Sequence, residues 1–526
     1  MASDQTLRER VDALYSFTAE RSSQHSDLGQ ISRLVTTSRE RLDRPMQVAI
    51  VGLIKAGKST MMNAILGEEM VPTGQVETTF NVNWLQYRDR PALEIRFKDG
   101  TEPEWRSFEE LDQLTRRADG THDYLKRIRH IVVHYPSEIL KQLHLIDTPG
   151  LESTHEDDSQ NTVEFLQLHG DEISERTREE ASSADAVLYL FSLGVHESDR
   201  NAMTLFHGPT IAGASPINAI GVLTKVDNYW NATEPDVDPL ETGIRVATRI
   251  AREPDIKRIF HGVYPVCGLL AFGARTLDDS EFEALRELAT ASRDQLTTMM
   301  MSIRRLREQD FPEIPVSPER RAPLVDRLGA YGIWAACEEL RQGANTREQL
   351  KQRLLERSGL PRLERVVLSH FGNRSFLIKL ERSLAELSAA CQLGRQSRAE
   401  HARQLGEEIA GEVERLKLQE HVFEELRLLS DFYDGKLTLG PDEAQNLLEI
   451  TGESGTTVGD RLGLGNRATL EEMEIEALRL LGHWRNRASD FATPRREAAA
   501  ARVMERSYEH LLYHLREAKR HLQLYE

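Results

Sequence analysis

Gly52-Leu53-Ile54-Lys55-Ala56-Gly57-Lys58-Ser59 carries the spacing G-x-x-x-x-G-K-S. Glycines at both ends let the backbone wrap a phosphate chain, with successive N–H groups turned inward as a nest for anions. Lys58 is placed to reach the β- and γ-phosphates, and the Ser59 hydroxyl to ligate Mg²⁺. The expected phosphate contacts are Gly52, Ala56, Gly57, Lys58, Ser59 and Thr60. Two further motifs follow. In Asp147-Thr148-Pro149-Gly150 the carboxylate can hold Mg²⁺ through water, and the Gly150 N–H can bond the γ-phosphate. In Thr224-Lys225-Val226-Asp227 the aspartate can accept two hydrogen bonds from guanine N1 and N2, while the Lys225 stem covers the base. Adenine lacks that donor pair, so the set favours GTP over ATP. A lone D-x-x-G is a common turn; the three motifs in this order, each after an apolar run, point to a GTPase.

Between the first two motifs lies Pro72-Thr73-Gly74-Gln75-Val76-Glu77-Thr78-Thr79. Thr79 is the expected switch residue, closing on Mg²⁺ and the γ-phosphate, with Thr78 as the alternative; both also suit an ordinary turn. The metal set expected from these motifs is Ser59, Thr79 and Asp147. Val266-Cys267-Gly268 stands where a further loop can touch the base, although Cys267 equally suits a small buried position.

Elements must position these residues. Val48-Ala49-Ile50-Val51 reads as a buried strand before the loop, and Thr60–Leu66 as a helix after it, its positive end toward the phosphates. Apolar runs near 80–85, 93–97, 131–135, 143–146, 186–191, 219–223 and 262–267 read as strands, with 104–128 irregular to helical. Strands alternating with helices specify an α/β domain, a mostly parallel sheet covered on both faces. Residues 1–45 carry helical stripes and end at Pro45. The GTPase domain is expected over 46–373, with a helical insertion at about 275–357. Residues 374–526 read as a helical stalk or bundle. Within it, 374–434 would span on the order of 90 Å if unbroken, 435–467 reads as a connector, Thr469 with Glu472 opens a helix, and Thr493-Pro494 opens another with a coiled-coil-like seam. The N-terminal helices are expected to pack with that last helix, because each has a stripe it cannot bury alone.

A chain of 526 residues exceeds one compact core. A net charge of −18 argues against a nucleic-acid partner and against attraction of the whole surface to anionic lipid. Three scattered cysteines fit reduced thiols rather than a disulfide framework. The polar N-terminus is no signal peptide, and no window suits a transmembrane helix, so the expected location is cytoplasmic, with peripheral membrane contact left open.

At these residues the chain resembles the dynamin superfamily, in its bacterial dynamin-like branch. The resemblance rests on Gly52–Thr60 continuing into Asn63-Ala64-Ile65-Leu66-Gly67 and Val71-Pro72, on the long separation of Lys58 from Asp147, on Thr224–Asp227, and on the flanking helices. It is specific over about 46–270 and architectural beyond. It implies GTP hydrolysis stimulated by self-assembly, pairing of GTPase domains across their nucleotide faces, and work at a lipid membrane surface. Eukaryotic dynamins place Gln and Ser where Ile54 and Lys55 stand here. Ile54 cannot bond a water, whereas Lys55 occupies the loop where related large GTPases carry a basic finger, able to neutralise charge between the β- and γ-phosphates. No glutamine follows Gly150 to position water. The stretch 435–467, where relatives carry a lipid-binding tip, mixes leucines with acids and suits a protein contact better than insertion. The competing readings are a soluble GTP-dependent switch whose helical arm binds a protein, with low turnover, and an ATPase.

Overall fold

A computed structural model of the chain describes residues 2–23, 29–53, 55–68, 82–111, 114, 124, 127–147, 184–204, 215–395 and 400–523. Contacts divide it into two units, Met46–Val367 and Met1–Pro45 with Leu368–Glu526. The division falls at Val367 rather than at 373.

In the first unit the strands are β1 (Met46–Gly52), β2 (Val82–Tyr87), β3 (Ala92–Phe97), β4 (Glu104–Arg106), β5 (Ile128–Tyr135), β6 (Leu143–Asp147), β7 (Ala186–Ser192), β8 (Ala219–Thr224) and β9 (Val263–Pro265). Among the described residues these nine form one sheet, ordered β4-β3-β5-β2-β6-β1-β7-β8-β9. From β6 through β1, β7 and β8 to β9 every pairing is parallel. β1, β7 and β8 are apolar because neither of their faces meets water; every residue of β1 and β8 is buried. On the other side β2 pairs antiparallel with β6, and β3 antiparallel with β5 and β4. β4 corrects the irregular-to-helical expectation for 104–128. Its three residues, two of them exposed, are too few to show a period, and only pairing with β3 makes them a strand. The turn between them is locked by Asp99, whose Oδ1 accepts from the Thr101 N–H at 3.1 Å and hydroxyl at 2.8 Å. Helices Gly268–Thr276, Pro318–Arg341 and Arg347–Arg357 share one core with the sheet through Leu270, Leu328, Trp334 and Leu354.

In the second unit the helical stretch 374–434 is not one unbroken helix but three, Ser375–Arg395, Glu400–Gln419 and His421–Tyr433. A single rod would leave its stripe in water. Folding back buries Leu380, Leu384 and Leu387 against Leu405, Ile409 and Val413, together with Leu7, Val11, Ile31 and Val35 of the N-terminal helices. The crossing is close at Gly406, where a β-carbon would stand 3.1 Å from the Cys391 carbonyl. Lys379 Nζ donates to Leu42 O at 3.0 Å and Arg44 O at 2.7 Å, holding the C-terminal end of the helix Gly29–Asp43. The N-terminal helices thus share their core with the segment 380–426. The last helix, Arg495–Gln523, packs most extensively on Leu470–Ser489, which Thr469 and Glu472 open with a capping box. The stretch 435–467 is more than a connector. It forms helices Pro441–Ile450 and Val458–Arg461, and Leu437, Leu447, Ile450 and Leu462 are buried. Arg461 donates to both oxygens of Glu425, at 3.0 and 3.1 Å, and to Ile450 O at 2.7 Å.

Trp484 is the largest fully buried side chain among the described residues. Trp484→Ala is expected to lower stability by about 3–5 kcal/mol, read from urea denaturation followed by far-UV circular dichroism.

Candidate nucleotide site

β1 ends at Gly52 because the chain must turn sharply beside β7. A β-carbon at Gly52 would meet Leu190 O at 2.9 Å and the Ala56 and Leu190 β-carbons at 3.2 Å. The loop closes with Ala56 N donating to Leu53 O at 3.1 Å, and the helix Lys58–Leu66 starts from Gly57, whose φ of 94° suits only glycine well. Lys55 is exposed and also has positive φ, 61°, where a side chain costs roughly 1–2 kcal/mol. Lys58 is buried, and its Nζ donates to Gly52 O at 3.3 Å and Leu53 O at 3.0 Å. Ser59 and Thr60 follow on the first turn, half-buried.

Asp147 ends β6, in register with Ile50 of β1 and Asn83 of β2, and is buried. It therefore leaves the sheet at the same edge as the loop. Thr224 ends β8. Its hydroxyl lies 2.7 Å from Ala56 O and 3.0 Å from Phe191 O, so it braces the phosphate loop against the end of β7. Lys225 is held at φ 57°, and Asp227 follows in a single turn of 3₁₀ helix. Burial pushes the Asp227 carboxyl above the usual range, and the Cys267 side chain and Lys225 oppose that rise. Cys267 is buried beneath Asp227 and caps the helix Gly268–Thr276. Burial and the neighbouring carboxylate push its thiol well up, which keeps it a neutral donor. Burial lowers the Lys225 ammonium, Asp227 opposes, and the charges of Lys55 and Lys58 lower it further. Three cations thus lie within electrostatic reach of one another at one edge of the sheet, an arrangement suited to a polyanion.

Of the residues singled out from sequence, Gly52, Lys55, Ala56, Gly57, Lys58, Ser59, Thr60, Asp147, Thr224, Lys225, Asp227 and Cys267 are described, all on the loops and elements at this edge. Ile54, Thr78, Thr79 and Gly150 lie outside the described residues. The hydroxyl of Ser59 and the carboxylate of Asp147 are hard oxygen donors and fit Mg²⁺. Motif reading missed Arg275 and Glu364, which sit behind the helix Lys58–Leu66 and belong to no nucleotide motif. No sequence reading singled out Arg275, which stands at the start of the expected helical insertion.

Gly52→Ala is expected to destabilise the protein by about 1–3 kcal/mol, because the Leu190 carbonyl is backbone and cannot give way. Thermal denaturation of the purified variant measures it.

Residues 48–226 match the dynamin family model. The chain is 32% identical over 474 residues to the isoniazid-induced protein IniC of Mycobacterium tuberculosis, across 88% of this chain and 90% of that protein. It is 29% identical over 154 residues to dynamin-like protein 2 of Campylobacter jejuni, across 28% of this chain and 24% of that one. A solved structure described as an oligomerised bacterial dynamin pair aligns with 94% of this chain and 88% of its own, at 13% identity and a TM-score of 0.31. With its phosphate loop, its guanine motif and a relative matched along nearly its whole length, the chain belongs to the dynamin family, as a bacterial dynamin-like GTPase that hydrolyses GTP.

Proposed function

We propose that GTP hydrolysis here is coupled to pairing of GTPase units or larger self-assembly, at a membrane surface. In this reading Gly52, Ala56, Gly57, Lys58, Ser59, Thr60 and Gly150 hold the phosphates. Thr224, Lys225, Asp227 and Cys267 form the guanine side, with Asp227 accepting from N1 and N2. Ser59, Asp147 and Thr79 hold Mg²⁺, which when bound neutralises charge on the β- and γ-oxygens. Lys58 orients the γ-phosphate. The observation that carries the reading is Lys55: a cation in the phosphate loop, exposed, at strained positive φ, and within electrostatic reach of Lys225. Strain kept at an exposed lysine in such a loop suits a functional rather than a structural residue. Closure by a second GTPase unit would exclude water around Lys55 and strengthen its effect on charge developing between the β- and γ-phosphates.

The membrane component draws on the family resemblance. It does not draw on 435–467, where Leu437, Leu447 and Leu462 are buried. No helix among the described residues is long and apolar enough to cross a membrane, so the contact proposed is peripheral. Liposome sedimentation with and without a non-hydrolysable GTP analogue tests it, and nucleotide-dependent pelleting is the expected result.

The GTP turnover rate per molecule is expected to rise with protein concentration. A flat rate would favour a GTP-dependent switch acting through a protein partner. Lys55→Ala should lower the rate at high concentration by at least about tenfold while leaving GDP affinity near that of the wild type; an unchanged rate refutes the role given to Lys55.

Guanine recognition needs Asp227 ionised. Because its pKa is raised by burial, acidification should protonate it at a higher pH than an ordinary aspartate, and GDP affinity should fall there. The sign for stability is opposite: folded Asp227 holds a proton more tightly than the unfolded chain, so its own contribution to stability rises as pH falls through the folded pKa. Fluorescent GDP titrations across pH, with Asp227→Asn abolishing both the affinity and its pH dependence, check this.

A further inference from the structure

The helix Gly268–Thr276 meets elements of the nucleotide site at both ends. At its first end Cys267 lies under Asp227, and the Cys267 N–H donates to Ser358 O at 2.8 Å. At its last turn Arg275 reaches the back of the helix Lys58–Leu66. The final carbonyls of that helix have no partner within it. Gly67 N takes Asn63 O at 2.8 Å, and Arg275 Nη1 donates to Ala64 O at 2.6 Å and to Ile65 O. The cation also opposes the negative end of the helix dipole. The other side of the guanidinium holds both oxygens of Glu364, at 2.7 and 2.9 Å. Glu364 is largely desolvated; burial raises its carboxyl and Arg275 opposes that rise. An arginine fork held this way has one orientation, whereas a lysine would swing.

The helix that starts with Lys58 and Ser59 has only nine residues. It is a short rigid rod, and a displacement at its Ala64–Ile65 end is passed to its phosphate end. We propose that Arg275, oriented by Glu364, is a positioning residue for GTP hydrolysis. It fixes the rear of the helix Lys58–Leu66 while the other end of its own helix supports Asp227, so one element sets the spacing between the phosphate and guanine halves. Ser358 and Glu364 lie on the segment that leaves this unit at Val367. That segment is therefore bonded to both ends of the same strut. The inference rests on the residue roles proposed above.

The test is steady-state GTP hydrolysis by the full chain carrying R275Q, R275K, E364Q or R275Q with E364Q. It is run at one protein concentration and at a temperature where each variant retains the wild-type circular dichroism spectrum. R275Q should lower kcat by about tenfold or more with KM changed by less than about threefold, since small misplacements of reacting groups cost rate more than binding. R275K, which keeps the charge and loses the fork, should recover part of the loss. E364Q should lower kcat by a smaller factor and have no further effect once R275Q is present. A kcat for R275Q within about twofold of wild type overturns the proposal, and so does an E364Q effect that multiplies undiminished in the double variant. If R275Q does not fold, R275K and E364Q decide: kcat within about twofold of wild type in both overturns it. The ratio of variant to wild type at one concentration reports on Arg275, and the concentration dependence of the wild type alone reports on assembly.

Discussion

β1 runs parallel between β6 and β7 with water on neither face, and the candidate site depends on that placement. Parallel strands deliver their C-terminal ends to one edge, so the loop after Gly52, the carboxylate of Asp147 and the turn after Thr224 emerge together. The same burial brings β7 so near that Gly52 tolerates no β-carbon. The chain must turn there, and the turn makes the phosphate nest. Thr224 completes the frame by bonding Ala56 O across the sheet end. The loop is therefore braced by the strand that leads into Lys225 and Asp227.

Electrostatics at this edge run against the rest of the molecule. The chain is strongly acidic, yet Lys55, Lys58 and Lys225 lie within reach of one another; burial lowers the Lys225 ammonium, Asp227 opposes, and the charges of Lys55 and Lys58 lower it further. Lys58 meets loop carbonyls, Lys55 stands in solvent at positive φ, and Lys225 leans on Asp227. On the guanine side, Cys267 remains a neutral donor to Asp227 because its own burial prevents ionisation. The site thus uses desolvation twice, to hold the Cys267 thiol protonated and to raise the Asp227 carboxyl.

In the helical unit the deciding term was burial of stripes. The helical periodicity of 374–434 was legible residue by residue, but not its division into three helices. A period says nothing about whether a helix continues straight or folds back; that follows from which arrangement covers Leu380, Leu405 and Leu7 together. Leu437, Leu447 and Leu462 read as an interrupted apolar stretch suited to an outside partner. Their partners are inside their own unit, fastened in part by Arg461 on Glu425.

The sequence by itself determined the chemistry. The spacing of Gly52, Gly57, Lys58 and Ser59, then Asp147, then Asp227, names a guanine nucleotide and hydrolysis, because these motifs are local and each carries its own geometry. It also determined most strands, through apolar runs long enough to read. Tertiary structure decided what no local pattern encodes. It made Glu104–Arg106 a strand by pairing, folded 375–433 back on itself, and spent the Thr224 hydroxyl on the phosphate loop. It also set Arg275 and Glu364 behind the helix Lys58–Leu66, joining positions 64, 275 and 364 that are far apart in the chain. Such contacts come from how buried surfaces meet, and the physical reason they escaped sequence reading is that a guanidinium finds its carbonyls only after the core has placed both.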